Sequence, residues 1–304
     1  MDTVRLSDEI IFTAIEQKIE DIYFLPSEEG FLLLYRKGAQ RELQRVLTDK
    51  QGQQLIARFK YLGQMDVAEK RKAQLGAITY NYLENALIRL RLSTVGDYRK
   101  RESLVIRILH HLNDRNMHYF FPEELPLLEL QTQQRGLFLF SGPVGSGKTT
   151  LMYHLAKNTT KQVITIEDPV EIEEPEFLQL QVNTQIGQDY NQLIKLSLRH
   201  RPDLLIIGEI RDEKTAQAVI RAALTGHRVF ATIHARSLDG TAARFNELVS
   251  MKRELATCLR GVVYQQIQPL ASGQLATRWA YRFYADDGKI IEKKWMNPSQ
   301  KKRG

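Results

Sequence analysis

One cysteine, Cys258, stands in the whole 304-residue sequence. That scarcity excludes an internal disulfide and any metal site built on clustered thiolates, and it fits a reducing compartment. Long apolar runs are also missing: no window approaches the ~18 to 20 uninterrupted apolar residues of a membrane-spanning helix. The first residues, Met1-Asp2-Thr3-Val4-Arg5-Leu6-Ser7-Asp8-Glu9, hold neither the basic nor the apolar stretch of a secretory leader. A cytoplasmic protein is therefore expected. Charge is not one-sided either. Lys and Arg number 43 against 36 Asp and Glu, a net +7, which gives only a weak preference for nucleic acid or an anionic membrane surface. With 43% hydrophobic and 26% charged residues, the composition is that of a globular protein. The length suits two domains, each with its own core.

The most informative stretch runs from Gly136 to Leu155. An apolar strand, Leu137-Phe138-Leu139-Phe140, leads into Gly142-Pro143-Val144-Gly145-Ser146-Gly147-Lys148-Thr149 and then into a helix-prone run beginning Thr150-Leu151. In the pattern G-x-x-x-x-G-K-[ST] the glycines let successive N–H groups point inward, and the following helix adds its positive end. Lys148 is expected to reach the β- and γ-phosphates of ATP, and the Thr149 hydroxyl to ligate Mg²⁺.

Before this point the pattern is mixed. Ser7 is placed to cap a helix ending near Glu20, with Ile10, Ile11, Ala14, Ile15 and Ile19 at helical spacing. Residues 21–26 and 31–36 read as a hairpin around Ser27-Glu28-Glu29-Gly30. Thr48 is placed to cap a second helix, with Leu55, Ile56, Phe59 and Leu62 on one face. Strand-like runs follow at 77–82, 86–92 and 103–108, and Arg89, Arg91 and Ser93 fall on one strand face. The expected organisation is an α+β domain over 1–109, a polar linker over 110–116 containing His110-His111, and an α/β domain over 117–304. In that second domain strands near 136–141, 162–167, 203–208 and 228–233 alternate with helices near 148–157, 189–200 and 213–224. The alternation predicts a mostly parallel sheet covered on both faces, with ligands at its carboxyl edge.

Three clusters end strands of that sheet. Glu167-Asp168-Pro169-Val170-Glu171 delivers carboxylates that can hold magnesium-bound waters or orient an attacking water, or simply cap a turn. Leu204-Leu205-Ile206-Ile207-Gly208-Glu209 is an apolar strand ending in an acid, with Gly208 where most phosphate-loop enzymes carry aspartate. Glu209 is the first choice for polarising the attacking water. His227 and His234 flank the last strand, and His234 is placed either to sense the γ-phosphate or to serve as an ordinary structural residue.

Together, Gly142 to Thr149, Ile166 to Glu171, Leu198 to Asp212 and Thr225 to His234 resemble the Walker A, Asp box, Walker B and His box of the type II secretion and type IV pilus ATPases. They stand in that family's order. Asp21-Ile22-Tyr23-Phe24-Leu25-Pro26 and Met65-Asp66-Val67-Ala68-Glu69-Lys70-Arg71…Gln74-Leu75-Gly76 are similar to first-domain segments of the same family. Lacking a long amino-terminal module and a tetracysteine hairpin, the chain most resembles the branch that assembles competence pseudopili for DNA uptake in Gram-positive bacteria. The resemblance implies a PAS-like first domain, a RecA-like second domain, and a homo-hexamer. It also implies ATP and Mg²⁺ as ligands and a membrane platform protein as partner, at the inner face of the cell membrane. It further implies that Arg91 and Arg107 approach the phosphates, although strand alternation alone would put both on a solvent face.

Two departures from the family pattern stand out. Arg101-Glu102 replaces a glycine-glutamate, and Gln265-Gln266 replaces a glutamine-arginine. Two other functions compete: a RecA-like motor acting on DNA, and a nucleotide-dependent scaffold with negligible turnover. No basic stripe interleaved with aromatics supports direct nucleic-acid binding. The basic positions Lys289, Lys293, Lys294, Lys301, Lys302 and Arg303 read as a solvated end.

Overall fold

The computed structural model describes residues 2–38, 40–83, 86–109, 118–157, 162–285 and 287–294, without the side chains of 83, 86 and 185. The proposed linker, His110 and His111 included, and the basic residues 301–303 lie outside them. The chain divides into two compact units, Met1–His110 and His111–Gly304.

In the first unit, α1 (Thr3–Glu16) and α2 (Asp49–Leu62) accompany six strands, β1 (Asp21–Pro26), β2 (Phe31–Lys37), β3 (Gln40–Leu47), β4 (Gln74–Leu83), β5 (Ala86–Gly96) and β6 (Glu102–Leu109). They form one antiparallel sheet in the order β3-β2-β1-β6-β5-β4. Strand alternation sends Ile22, Phe24, Leu90, Leu92, Leu104 and Ile106 to the buried side, against Ile10, Ile11, Leu55 and Phe59 of the helices. The opposite side carries Asp21, Arg91 and Arg107.

Two local expectations need correction. Asp2, not Ser7, caps α1, and the helix stops at Glu16. Ser7 is instead fully buried, donating to the Val4 carbonyl (2.7 Å) and accepting from Arg58 Nε (2.7 Å). A hydroxyl that bonds one turn back is satisfied inside a helix and needs no capping role. Thr48 does cap α2, in a reciprocal box with Gln51.

The second unit holds an eight-stranded sheet. Its strands are β7 (Gly136–Ser141), β8 (Val163–Glu167), β9 (Leu178–Gln181), β10 (Leu204–Ile207), β11 (Arg228–Thr232), β12 (Leu259–Pro269), β13 (Leu275–Tyr284) and β14 (Ile290–Lys293). The order is β14-β13-β12-β7-β11-β10-β8-β9, parallel from β12 to β9 and antiparallel at β13 and β14. The helices are α3 (Leu125–Gln131), α4 (Lys148–Lys157), α5 (Tyr190–Ser197), α6 (Glu213–Leu224), α7 (Leu238–Leu248) and α8 (Lys252–Cys258). Leu137, Leu139, Ile164, Ile166, Leu205 and Ile207 face a core shared with α5 and α6. Phe138, Phe140, Val163, Leu204 and Ile206 face α4 on the other side. Both faces are therefore covered, which is why these strands read as continuous apolar runs. Among the described residues, no helix is long and apolar enough to cross a membrane.

Candidate nucleotide site

Parallel pairing brings four strand ends to one level. Ile207 stands opposite both Ile166 and Ala231, and Thr232 opposite Phe140. The residues that follow, from the phosphate loop, Glu167, Glu209 and His234, consequently emerge along one edge of the sheet.

The loop after β7 has the backbone its glycines permit. Gly142, Gly145 and Gly147 have φ of +146°, +75° and +83°, a region that side-chain-bearing residues rarely adopt. A Cβ on Gly142 would meet the Gln265 carbonyl oxygen at 2.1 Å. Pro143, Val144 and Gly145 are exposed at the tip, while Ser146 and Thr150 are buried. The Ser146 hydroxyl has no hydrogen-bond partner among the described residues. Lys148 Nζ folds back to donate to the carbonyls of Gly142 (3.0 Å) and Pro143 (2.9 Å). Burial lowers the proton affinity of Lys148, and the negative charges of Glu171 and Glu209 oppose that shift.

Glu167 is buried at the end of β8, where the hydroxyls of Tyr153 and Thr165 donate to its Oε1, the latter at 2.7 Å. Gln179 Nε2 in turn donates to the Tyr153 oxygen at 2.8 Å. Burial raises the pKa of Glu167, and the two hydroxyl donors pull it back. Tyr153 lies on α4, directly after the phosphate loop. Sequence reading assigned it only to a helix, because a helical tyrosine that reaches a carboxylate of another element leaves no local signal.

Glu209 is largely buried. Arg211 donates to its Oε1, and His234 Nε2 lies 3.4 Å from its Oε2. The same guanidinium stands 3.7 Å from Asp168. A chain of neighbouring side chains, His234, Glu209, Arg211 and Asp168, thus links the ends of three strands. Arg211 therefore joins two of the candidate acids. Glu171 and Asp168 are exposed. Gly208 has a steric reason to be glycine: a Cβ there would meet the Tyr190 hydroxyl, Glu167 Cα and the Ile166 carbonyl oxygen, each at 3.2 Å.

Among the described residues no three His, Cys, Asp or Glu side chains gather as a metal cage. Magnesium keeps several waters and takes one or two protein oxygens beside phosphate oxygens. Thr149, Glu167, Asp168 and Glu171 are the oxygen-bearing side chains that the sequence nominates for such a role.

Arg91 and Arg107 belong to the first unit, where they are direct cross-strand neighbours on β5 and β6. Arg107 is clamped by Asp21, Nε to Oδ1 at 2.7 Å and Nη2 to Oδ2 at 3.3 Å. Gln265, noted in the sequence only as part of a changed motif, is buried beside the phosphate loop. Its Nε2 donates to the Ser146 carbonyl, and its Oε1 accepts from Trp279 Nε1 at 3.0 Å.

The fold and sequence have known counterparts. The DotB ATPase of Legionella pneumophila superposes with a TM-score of 0.72 at 19% identity, over 94% of this chain and 82% of that one. The pilus retraction motor PilT with bound ADP gives 0.69 at 22% identity, over 95% and 83%. The fold is therefore the α/β, RecA-like phosphate-loop type of these ATPases. Competence protein ComGA of Streptococcus pneumoniae is 50% identical over 265 residues, 86% of this chain and 84% of that protein. A family model for type II/IV secretion system proteins matches residues 2–298. The chain belongs to the type II/IV secretion system protein family.

Proposed function

We propose that this chain is an ATP-hydrolysing motor that drives assembly of a competence pseudopilus. The observation that carries the reading is the phosphate loop. Its three left-handed glycines, the unpartnered Ser146 hydroxyl and the Lys148 ammonium resting on loop carbonyls make a cradle with donors to give. The 50% identity to a competence protein supports the process it serves.

In this reading Gly142 to Thr149 bind the phosphates through main-chain N–H groups, and Thr150 is buried just behind them. Lys148 exchanges the Gly142 and Pro143 carbonyls for phosphate oxygens. Thr149 ligates magnesium, with Glu167, Asp168 and Glu171 reaching it through water. Magnesium, when bound, offsets the negative charge that builds on the transferring phosphoryl group. Glu209 polarises the attacking water, and Arg211 and His234 set its orientation. Glu167, fixed by Tyr153 and Thr165, holds a second acceptor at the neighbouring strand end. The family resemblance nominates Arg91 and Arg107, cross-strand neighbours in the first unit, to offset phosphate charge.

The first unit, an antiparallel sheet with helices on one face, supports a PAS-like accessory domain over 1–109. The linker over 110–116 and the motor domain over 117–304 complete the organisation. Assembly as a homo-hexamer, docked on a membrane platform protein at the cytoplasmic face, completes the proposal.

The test is Mg²⁺-ATP hydrolysis by the purified protein, resolved by size, with and without DNA. Turnover in a hexamer-sized fraction, lost in Lys148→Ala and indifferent to DNA, is the expected result. Turnover raised many-fold by DNA would overturn the pseudopilus reading in favour of a motor on nucleic acid.

A further inference from the structure

Tyr190 opens α5, and its ring reaches under the strand end that carries Glu209. Its hydroxyl is shut off from solvent and has no hydrogen-bond partner among the described residues. That is an unfavourable place for a phenol, since a buried donor without an acceptor forfeits the bond it made to water. The site is nevertheless shaped around it. Gly208, where a side chain would meet the hydroxyl oxygen at 3.2 Å, leaves the space open. Burial first, and then the charges of Glu209, Asp168 and Glu167 against that of Arg211, raise the pKa of the phenol, so it stays protonated and a donor. A donor is thus held without an acceptor close to the candidate acids, and such a group calls for an explanation.

We propose that Tyr190 is a positioning residue for ATP hydrolysis: its hydroxyl donates to a water held between Glu209 and Glu167, and so fixes the water that Glu209 polarises. The inference rests on the ATPase reading. It adds to that reading a residue which none of the four signature segments contains. With Arg211 on one oxygen of Glu209 and His234 Nε2 3.4 Å from the other, the carboxylate offers a water acceptors but no donor. A phenol whose partly buried ring packs against the core adds the missing direction at little entropic cost.

The experiment is Tyr190→Phe in the full chain, which keeps the ring and removes only the hydroxyl. Three quantities are measured: the Tm of the nucleotide-free protein, the Tm rise with Mg²⁺ and a slowly hydrolysed ATP analogue or with ADP, and steady-state turnover. The nucleotide-free variant should melt at or above the wild-type temperature, because an unsatisfied buried donor has gone. Its kcat should fall about tenfold, the size of one hydrogen bond in a charged setting, with KM for ATP within twofold. The analogue's stabilisation should shrink while that of ADP is unchanged. A kcat within twofold of wild type, or a free protein that melts several degrees lower, overturns the proposal. The second result would mean that the hydroxyl has a structural partner. Failure of the underlying reading looks different: the wild type itself would show neither turnover nor stabilisation by Mg²⁺ and nucleotide.

Discussion

Gln265 holds Ser146 by its main-chain carbonyl, and is itself held by the Trp279 indole N–H at 3.0 Å. One side-chain amide therefore ties the phosphate loop to β12 and β13. Gln265→Ala removes both of these buried hydrogen bonds, at about 1–3 kcal/mol each. We expect a lower Tm and a Kd for ATP raised at least tenfold, measured by thermal melt and by nucleotide titration. The neighbouring Gln266→Ala should leave ATP affinity within twofold.

Lys148→Ala should abolish turnover, since no other ammonium lies in the loop. Glu209→Gln should bind ATP as the wild type does and hydrolyse it about 10²- to 10⁴-fold more slowly, the range for loss of a general base. Single-turnover kinetics with Glu167→Gln beside it decides between the acids. Hydrolysis that survives in Glu209→Gln and is lost in Glu167→Gln moves the base to Glu167.

Much of this site was legible because each part is local. A glycine loop between an apolar strand and a helix needs only neighbouring residues to be recognised, and the strands ending at Glu167, Ile207 and Thr232 are apolar runs that solvent never reaches. Strand β3 escaped because seven of its eight residues, Gln40 to Val46, are exposed; Arg41, Glu42 and Arg45 suit a sheet edge and leave no apolar face to read. Strand β12 was hidden in another way. Its apolar run is broken by Gln265, a polar residue buried because its amide serves a loop more than a hundred residues earlier. The hydroxyl of Tyr153 was hidden for a different reason: it meets Glu167 only 14 residues on, but across a helix and a strand whose packing no local pattern states.

Within the first unit, Lys60 is wholly buried, and its Nζ donates to Glu102 Oε1 at 2.6 Å and to the Glu69 carbonyl at 2.6 Å. The Arg101-Glu102 step that departs from the family pattern thus keeps a glutamate with a structural task. Lys60→Ala strands that carboxylate, and a broken buried pair costs about 3–5 kcal/mol. Chemical denaturation should show a loss of this size, and a smaller one for Lys60→Met with Glu102→Leu together.

Burial pushes the Cys258 thiol up to about 11. The folded state holds this proton more tightly than the unfolded chain does. Its contribution to stability is therefore complete below the unfolded thiol's pKa and lost as pH rises through 11. Alkylation by iodoacetamide at pH 8 should be slow in the native protein and fast after unfolding, as read by mass spectrometry.

Strand β12 lies between β7 and β13, so the last part of the chain is a neighbour of the strand that launches the phosphate loop. A chain cut after Cys258 would lose more than a tail. It would bare the backbone N–H and C=O groups along one side of Gly136 to Ser141, an apolar ribbon free to zip onto another molecule. Such a truncated protein should be recovered as aggregate, whatever nucleotide is supplied.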